Sequence, residues 1–519
     1  MSPRPHYRLL LILGGGALGL AFPPFPWPWL AYGALIPLLV RWEKASSWRR
    51  ALLDAYVFFL ATFAVAFSWP LFHVMPNVAL ASLTGTLVLP LWMAVPFGLG
   101  WIVRRRLGRY AGMCALAAFY LVMEAALQHG PFAMPWPLLG HTQAEALVVN
   151  QFADLTGTSG LTLWVLLLNL ALYLTLSSPG RTRRLASAAA AALLLAGALV
   201  YSAGRLHTLE TPGRSAWVAL VQPGTAPLTW ADLGDPNRLP NLLSLTDSLL
   251  SAPVPEPDLV IWPETAIPLV HGASSDSARR QLQAWADRNR VALLTGAITR
   301  TSTARGQPAY HNAALLLRPD APPRQYDKRR LVAFAERVPF LDRFPALASL
   351  AVPAGGVYGY EPGTTAPLLR TSQARFGVLI CLETVFGSLG RQYAREGADF
   401  LVAITQDGWW RNTAGYRQHL AFTRLRAIEN RRAVVQVSVS GLSALIGPDG
   451  KISHEIGWMR RSAETVNVPL STGTTFFTRH GDWITPLAAV FSLILILLTL
   501  SAPLLSSLHK SQPATSPLA

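Results

Sequence analysis

Cysteine is almost missing from this chain, which has only Cys114 and Cys381 among its 519 residues. So few cysteines exclude a scaffold held together by disulfides. Cys114 lies in an apolar stretch and Cys381 in a more polar half of the sequence. We therefore expect no bridge between them and two free thiols.

Charged side chains are also scarce, at 14% of the residues, whereas soluble domains carry about 25%. Hydrophobic residues make up 51%, and there are 17 tryptophans. This balance leaves too little polar surface for a soluble protein and predicts a membrane protein. The length allows more than one domain.

The net charge of +16 does not indicate a nucleic-acid partner. Much of the positive charge occurs in short clusters between apolar stretches, such as RRRLGR at 104–109. Clusters of this kind are typical of the cytoplasmic loops of membrane proteins. We therefore use the charge to predict orientation.

A helix that spans a membrane needs roughly 20 mostly apolar residues. Eight segments approach this pattern, and the second is short and flanked by proline. They cover about residues 8–24, 28–41, 51–73, 78–103, 110–128, 160–178, 185–202 and 483–505. The first lacks a small-residue cleavage site, so we interpret it as a retained helix rather than a signal peptide.

Lys and Arg follow the second, fourth and sixth apolar segments, whereas loops 73–77 and 129–159 contain neither residue. Because Lys and Arg remain with cytoplasmic loops, this alternation predicts an orientation. With an even number of helices, both termini lie in the cytoplasm. Residues 203–482 then lie on the other side of the membrane.

Residues 214–470 have a different texture, with short apolar runs that end in turn residues. Helical patterns lie between several of these runs, at 276–289 and 414–430 for example. Strands buried on both faces have this appearance, so we predict a layered α/β domain. The predicted organisation is seven helices in 1–203, this domain in 214–470, an eighth helix in 483–505 and a cytoplasmic tail in 506–519.

Three reactive side chains follow predicted strands of this domain: Glu264 after LVIWP, Lys328 in YDKRRLV and Cys381 after FGVLI. Sites of α/β proteins gather at the carboxyl ends of strands. A thiol is a strong nucleophile, a carboxylate can accept its proton, and an ammonium can stabilise an oxyanion. Each residue alone is more often structural, since a lone cysteine usually behaves as a small buried hydrophobe. Together they form a set for acyl transfer without a metal or cofactor.

These stretches resemble the nitrilase superfamily, through WPET with Glu264, YDKRRLVAFAERVPF with Lys328 and GVLICLE with Cys381. Combined with eight membrane helices, the match narrows to the apolipoprotein N-acyltransferases of bacteria. Further matching stretches include VQPGTAPLTW at 221–230, QHLAFTRLRAIENRR at 418–432 and QFADLTGTSG at 151–160. The resemblance covers nearly the whole chain, and the combination is specific.

The resemblance implies an αββα sandwich of two sheets faced by helices, and a two-step reaction that completes lipoprotein maturation. Cys381 would take an acyl chain from a phospholipid, typically the sn-1 chain of phosphatidylethanolamine, as a thioester. The α-amine of the S-diacylglyceryl cysteine at the N-terminus of an apolipoprotein would then receive it. Glu264 would be the base and Lys328 the oxyanion cation. The supporting residues would be Glu336, Glu383, Asn312 and Trp230.

The resemblance also implies a multi-pass protein of the bacterial inner membrane, with its catalytic domain on the periplasmic side. Both substrates are lipids, so the site must face the bilayer. Trp409 and Trp410 could form lids over the acyl chain, with 341–353, or merely anchor at the interface. Glu124 and Trp136 could belong to the lipid entrance. Alternatively, Glu124 could pair with backbone or His129, and the loop of Trp136 could be a plug.

Some residues depart from the family pattern. Leu382 replaces a frequent tyrosine after the nucleophile, and TQDGWW and VSG replace other common stretches, at 405–410 and 439–441. The triad is intact, so we expect acyl transfer to be retained, whereas the family pattern does not give the donor preference and lipoprotein selectivity of this chain. Two alternatives to acyl transfer to an amine are a membrane-tethered amidase, which would use water as the acyl acceptor, and a non-enzymatic transporter. The amidase would not require eight helices, and the transporter would leave the three reactive residues unexplained.

Overall fold

The computed structural model describes residues 5–209, 213–227, 235–269, 272–302, 306, 308–341, 343–344, 346–347 and 359–510. Trp230, most of 341–353 and residues 511–519 lie outside these ranges. Within them, a group of apolar helices precedes an α/β domain, and a long apolar helix follows it.

The first part of the chain is helical. Its helices are α1 (Pro5–Leu20), α2 (Ile36–Lys44), α3 (Trp48–Ala66), α4 (Pro76–Leu107), α5 (Arg109–Ala126), α6 (Ala153–Ser177) and α7 (Arg181–Thr208). Of the helices in the described ranges, four are long and apolar enough to cross a membrane: α4, α6, α7 and the helix that begins at Ile484. The others are shorter or begin with ionic residues; α1 has 16 residues, and α3 carries Asp54 in its second turn.

The predicted second span, 28–41, is not one helix. A 3-10 turn covers Pro28–Tyr32, and α2 has only nine residues. At 1.5 Å per residue α2 is about 14 Å long, well short of the roughly 30 Å of a hydrocarbon core. The break coincides with a proline: Pro37 lies in the first turn of α2, where its missing backbone N–H leaves no helical hydrogen bond unmade.

The packing of α1 on α3 shows where the chain runs between them. Gly15 lies against Phe58, and Gly19 against Thr62, so the two helices run in the same direction. The approach is close: a Cβ on Gly15 would lie 2.1 Å from the Phe58 carbonyl oxygen. Because α1 and α3 are parallel, the broken segment between them returns the chain to the side on which α1 began.

Charged helix ends meet on one side of this bundle. Arg41 at the end of α2 pairs with Asp54 near the start of α3 at 3.0 Å. Arg109 at the start of α5 pairs with Glu43 at 2.6 Å and also donates to Ser177 at the end of α6. The basic loops that the sequence analysis used to predict orientation therefore lie together.

The α/β domain contains thirteen strands among the described residues. The first six strands and two helices are β1 (Ser215–Gln222), α8 (Arg238–Leu250), β2 (Leu259–Ile261), β3 (Ile267–Leu269), α9 (Gly272–Asn289), β4 (Ala292–Ser302), β5 (Pro308–Arg318) and β6 (Ala321–Asp327). The others are β7 (Leu369–Arg370), β8 (Arg375–Ile380), α10 (Gly387–Arg395), β9 (Phe400–Thr405), α11 (Ala414–Asn430), β10 (Val434–Ser438), β11 (Ser443–Ile446), β12 (Ile452–Ile456) and β13 (Ser462–Pro469). The chain then forms α12 (Phe476–His480) and α13 (Ile484–Lys510), which extends past the predicted end at 505.

These strands form two sheets, ordered β13-β1-β2-β4-β5-β6, with β3 beside β4, and β12-β11-β10-β9-β8-β7. Their inner faces share one core, in which Val218 and Ile261 of the first sheet join Val378 and Val402 of the second. Helices α8 and α9 cover the outer face of the first sheet, and α10 and α11 that of the second. The layered α/β prediction is confirmed.

The helical layer on the outer face of the second sheet, α10 and α11, also packs on the apolar helices α1–α7, which we call the membrane part of the chain. A single buried apolar cluster includes Phe58 of α3, Leu166 of α6 and Phe422 of α11. Gln418 of α11 donates to the carbonyls of Pro23, just beyond α1, and Ala66, the last residue of α3, at 2.8 Å each. The α/β domain therefore sits at the end of the bundle opposite the charged helix ends.

Candidate active site

Glu264 lies three residues beyond β2, in the middle of the first sheet. Its Oε1 accepts hydrogen bonds from Asn312 Nδ2 at 2.7 Å and Lys328 Nζ at 3.3 Å. Its Oε2 accepts one from the backbone N–H of Gln406 at 2.9 Å, so the second sheet also holds the carboxylate. Gly296 makes the bend possible, because a Cβ there would lie 2.3 Å from the Pro263 carbonyl oxygen.

Burial raises the pKa of Glu264, and nearby Glu336 raises it further, while Lys328 opposes both effects. The side chain is only 5% exposed. A carboxyl whose pKa is raised is a better proton acceptor than an ordinary one, because catalytic bases work best near the ambient pH.

Lys328 directly follows β6 and lies between two carboxylates. Its Nζ donates to Glu336 Oε1 at 2.7 Å as well as to Glu264. Burial opposes a charge on this 1% exposed side chain, but Glu336 and Glu264 outweigh it and raise the Lys328 pKa well above its ordinary value. Lys328 is therefore an ammonium at neutral pH.

Asn312 and Glu336 complete this polar group. The amide of Asn312 donates to both acids, at 2.7 Å to Glu264 and 3.0 Å to Glu336. The second oxygen of Glu336 accepts from the Val332 backbone at 2.7 Å. Because each acid has two fixed donors or more, the carboxylates have little freedom to rotate away from Lys328.

Cys381 directly follows β8 and opens a short 3-10 turn, Cys381–Val385, which we call the nucleophile turn. Its φ of 51° lies in the left-handed region, which costs a non-glycine residue on the order of 1–3 kcal/mol. The residue is 9% exposed. Burial raises the thiol pKa well above its usual range, Glu264 adds to the rise, and Lys328 opposes it. Cys381 is therefore a neutral thiol at rest that needs a base.

Glu383 connects the nucleophile turn to the loop of Lys328. Its carboxylate accepts from the backbone of Ile380 at 2.8 Å, Arg329 at 2.7 Å and Arg330 at 3.1 Å, and from the Tyr326 hydroxyl at 2.7 Å. The side chain is fully buried. Burial raises its pKa, and these donors oppose the rise. Glu383 thus has a positional part in the site.

The three residues predicted from strand ends thus come together, with Glu336, Glu383 and Asn312 around them. Trp230 lies outside the described residues. The structure brings Asp407 and His419 to the same place, beneath Cys381, and neither residue was predicted from the sequence to belong to the site. The only signal was their position inside stretches 405–410 and 418–432.

Glu124 lies away from this group, in α5. Its carboxylate accepts from the Leu139 backbone at 2.5 Å and the Thr162 hydroxyl at 2.7 Å, which fastens the loop after α5. The alternative of pairing with backbone is therefore what the structure shows, and His129 instead contacts the Ala125 carbonyl. These contacts give Glu124 a structural part, and its place in a lipid entrance stays a prediction.

The predicted entrance and lid tryptophans lie between the two parts of the chain. Trp136 is 4% exposed and donates to Gln418 at 2.9 Å, which fits a plug better than an entrance. Trp409 stacks on His73 with 5.7 Å between ring centres, and Trp410 packs edge-on against Trp69 at 4.7 Å. Both contact protein from the segment between α3 and α4.

Family models match both parts of the chain. Residues 14–171 match the apolipoprotein N-acyltransferase N-terminal domain, and residues 218–476 match carbon-nitrogen hydrolase. The apolipoprotein N-acyltransferase of Chlorobaculum tepidum is 32% identical over 91% of this chain and 92% of its own length. That of Azotobacter vinelandii is 30% identical, with 94% of each chain covered.

This chain belongs to the apolipoprotein N-acyltransferase family. The family assignment covers the membrane part and the α/β domain alike, as the resemblance implied. A solved structure, Saccharomyces cerevisiae Nit3 of the nitrilase superfamily, aligns with 50% of this chain and 92% of its own at 18% identity and a TM-score of 0.38. So distant a likeness adds nothing about activity, and the assignment rests on the relatives and the family models.

Proposed function

We propose that this chain transfers an acyl chain from a phospholipid, through a thioester on Cys381, to the N-terminal amine of a diacylated apolipoprotein. The observation that carries the proposal is the buried group of Cys381, Glu264 and Lys328 at one end of an apolar helical bundle. Family membership supports the reaction, which is the final N-acylation of lipoprotein maturation. The phospholipid donor and the roles of the three residues are part of the proposal.

In the first step Glu264 removes the Cys381 proton as the sulfur attacks the ester carbonyl of the phospholipid. The carbonyl oxygen becomes an oxyanion, and the Lys328 ammonium stabilises it. When the intermediate collapses, the C–O bond breaks and Glu264 returns the proton to the leaving lysophospholipid. The enzyme is left with a Cys381 thioester and an unprotonated Glu264.

In the second step the α-amine of the apolipoprotein attacks the thioester carbonyl. Glu264 accepts the proton of the attacking amine, and Lys328 again stabilises the oxyanion. The C–S bond breaks, the sulfur receives the proton, and an amide is released. Cys381 and Glu264 thus return to their starting states, so the cycle consumes one phospholipid and one apolipoprotein.

The proposed topology has eight crossings, with both termini in the cytoplasm and the α/β domain on the periplasmic side of the bacterial inner membrane. The parallel packing of α1 and α3 supports a crossing between them, even though the segment is broken. The clustering of Arg41 and Arg109 away from the α/β domain supports the orientation, since basic residues remain in the cytoplasm. The proposed domain boundaries are 1–203, 214–470, 483–505 and 506–519.

The experiment that tests the proposal is intact-mass spectrometry of the detergent-purified protein after incubation with phosphatidylethanolamine of defined acyl chains. We expect a mass gain of one acyl chain that neutral hydroxylamine removes and that Cys381→Ala abolishes. Cys114→Ser is the matched control, because Cys114 is exposed and far from the site in sequence, and it should acylate as the parent does.

A diacylated lipopeptide should then discharge the thioester and appear as a triacylated product. Discharge by water at the same rate with and without lipopeptide would instead show a membrane-tethered amidase. A folded parent protein that phospholipid never acylates would refute the phospholipid donor.

A further inference from the structure

His419 of α11 lies directly beneath the nucleophile turn. Its Nδ1 is 2.7 Å from Asp407 Oδ1, and its Nε2 is 2.7 Å from Thr384 Oγ1 and 3.0 Å from the Cys381 carbonyl oxygen. His419, Asp407 and Thr384 are all 0% exposed. The proposed chemistry of Glu264, Lys328 and Cys381 makes no use of this buried chain of contacts.

The contacts indicate hydrogens on both ring nitrogens of His419. Asp407 Oδ1 is an acceptor that also receives a hydrogen bond from the Thr405 hydroxyl at 2.6 Å, so Nδ1 donates to it. The Cys381 carbonyl can only accept, so its 3.0 Å contact with Nε2 is a hydrogen bond only if Nε2 carries a hydrogen. Thr384 then accepts from Nε2–H and gives its own hydrogen to the Cys381 carbonyl, 3.2 Å away. All of these contacts are hydrogen bonds only when His419 is an imidazolium.

Electrostatics agree with this geometry. Burial opposes a charge on His419, but Asp407 outweighs it and the His419 pKa is raised. The groups that face the ring from the packed elements are Asp407, the Cys381 carbonyl and, farther away, Glu264 of the first sheet, and all three favour the cation.

The preceding residue sets the position of His419. Gln418 accepts from the indoles of Trp69 and Trp136 at 2.9 Å each and donates to the carbonyls of Pro23 and Ala66. Its amide is therefore held on four sides by the membrane part of the chain. Because Gln418 cannot shift, the ring of His419 has a defined place under the turn.

We propose that His419, held by Asp407, is a positioning residue for the nucleophile: as an imidazolium it binds the Cys381 carbonyl and keeps the left-handed turn in the geometry that acylation needs. The inference rests on the proposed function only in taking acylation of Cys381 as the reaction. It assigns His419 no contact with substrate. Without the imidazolium, the Cys381 carbonyl loses its Nε2–H donor, and the orientation of the thiol is less well fixed.

The test uses the full-length protein in detergent, with Cys114→Ser as the parent so that Cys381 is the only thiol. Three variants are compared with it: His419→Gln, Asp407→Asn and the control Thr423→Val. Thr423 is fully buried one turn along α11, and its hydroxyl bonds the His419 backbone carbonyl, not the ring. Two rates are measured from pH 6 to 9: alkylation by iodoacetamide, and thioester formation with phosphatidylethanolamine.

We expect His419→Gln to slow both reactions about 100-fold near neutral pH, the cost of a misplaced reacting group. The phosphatidylethanolamine concentration for half-maximal rate should stay within about twofold of the parent, since no lipid contact is lost. Thr423→Val should match the parent. In Asp407→Asn the ratio of variant to parent rate should fall as pH rises, because His419 without its carboxylate loses its proton at a lower pH.

Parent-like rates at every pH in folded His419→Gln and folded Asp407→Asn would overturn the inference. So would an equal loss in Thr423→Val, or a loss in Asp407→Asn that does not change with pH, because packing alone would explain either. If His419→Gln does not fold, the pH profile of Asp407→Asn decides. If phospholipid never acylates the parent, the proposed function fails, while the alkylation rates still judge the positioning of Cys381.

Discussion

Replacing Lys328 with methionine tests how the buried charges of the site are divided between structure and catalysis. Methionine has a similar length and no charge, so the change removes the cation 3.3 Å from Glu264 and 2.7 Å from Glu336. Two buried carboxylates then face each other without a counter-ion. We expect one of them to be protonated in the variant, because like charges in one site raise each other's pKa.

Two effects of Lys328→Met have separate magnitudes. Loss of a donor to a developing oxyanion costs about 3–4 kcal/mol, or roughly 100- to 1,000-fold in rate. Breaking a buried ion pair by removing one partner costs about 3–5 kcal/mol in stability. The stability loss should shrink as pH falls, since protonation removes the unpaired charge. The rate loss should persist at every pH, because protonation of an acid does not restore an oxyanion donor.

The double variant Lys328→Met/Glu336→Gln separates the two effects. Removing the second carboxylate leaves Glu264 as the one acid, so stability should recover while the rate should not. The assays are thermal unfolding in detergent and the initial rate of thioester formation by intact mass. A single variant that acylates within about threefold of the parent, or a double variant that regains the rate, would refute the oxyanion role of Lys328.

Three further predictions concern the surrounding residues. Glu383→Gln keeps the shape of the side chain but turns one acceptor into a donor, which leaves a buried backbone N–H unpaired. We expect the free energy of unfolding to fall by about 1–3 kcal/mol, measured by thermal unfolding, and acylation to be slower. Gln418→Leu removes the hydrogen-bond acceptor of the Trp69 and Trp136 indoles, so we expect a lower midpoint of thermal unfolding in detergent. An unchanged midpoint would contradict the stabilising role of Gln418. The acylation rate should fall on the acid side at a higher pH than for an ordinary carboxylate, because the Glu264 pKa is raised and the base form is lost as pH drops through it. A pH–rate profile of single-turnover acylation measures this limb, and a rate that is flat down to pH 4 would contradict it.

Much of the fold could be predicted from local patterns. The apolar runs that predict strands, at 216–224, 258–265, 291–300, 312–323, 374–383, 398–407 and 432–450, overlap β1, β2, β4, β5, β8, β9, β10 and β11. The predicted helix 414–430 is α11. The prediction of a single helix for the second apolar segment was wrong, because a count of apolar residues does not register the break between the 3-10 turn Pro28–Tyr32 and α2. Strands such as β13 and β12 were missed, since an edge strand with polar residues has no continuous apolar run.

The sequence by itself determined the reactive residue types, because Glu264 and Cys381 each follow an apolar run typical of a buried strand, and Lys328 lies in the stretch YDKRRLV that matches the family pattern. It also determined the positions of the basic loops and hence the predicted orientation. Only the tertiary structure decided which residues share the site. His419 reaches the Cys381 carbonyl, and Asp407 reaches His419, because α11 packs on the second sheet. Gln418 is placed by its contacts with the ends of α1 and α3. Such contacts join residues that are far apart in sequence, and no local pattern carries them.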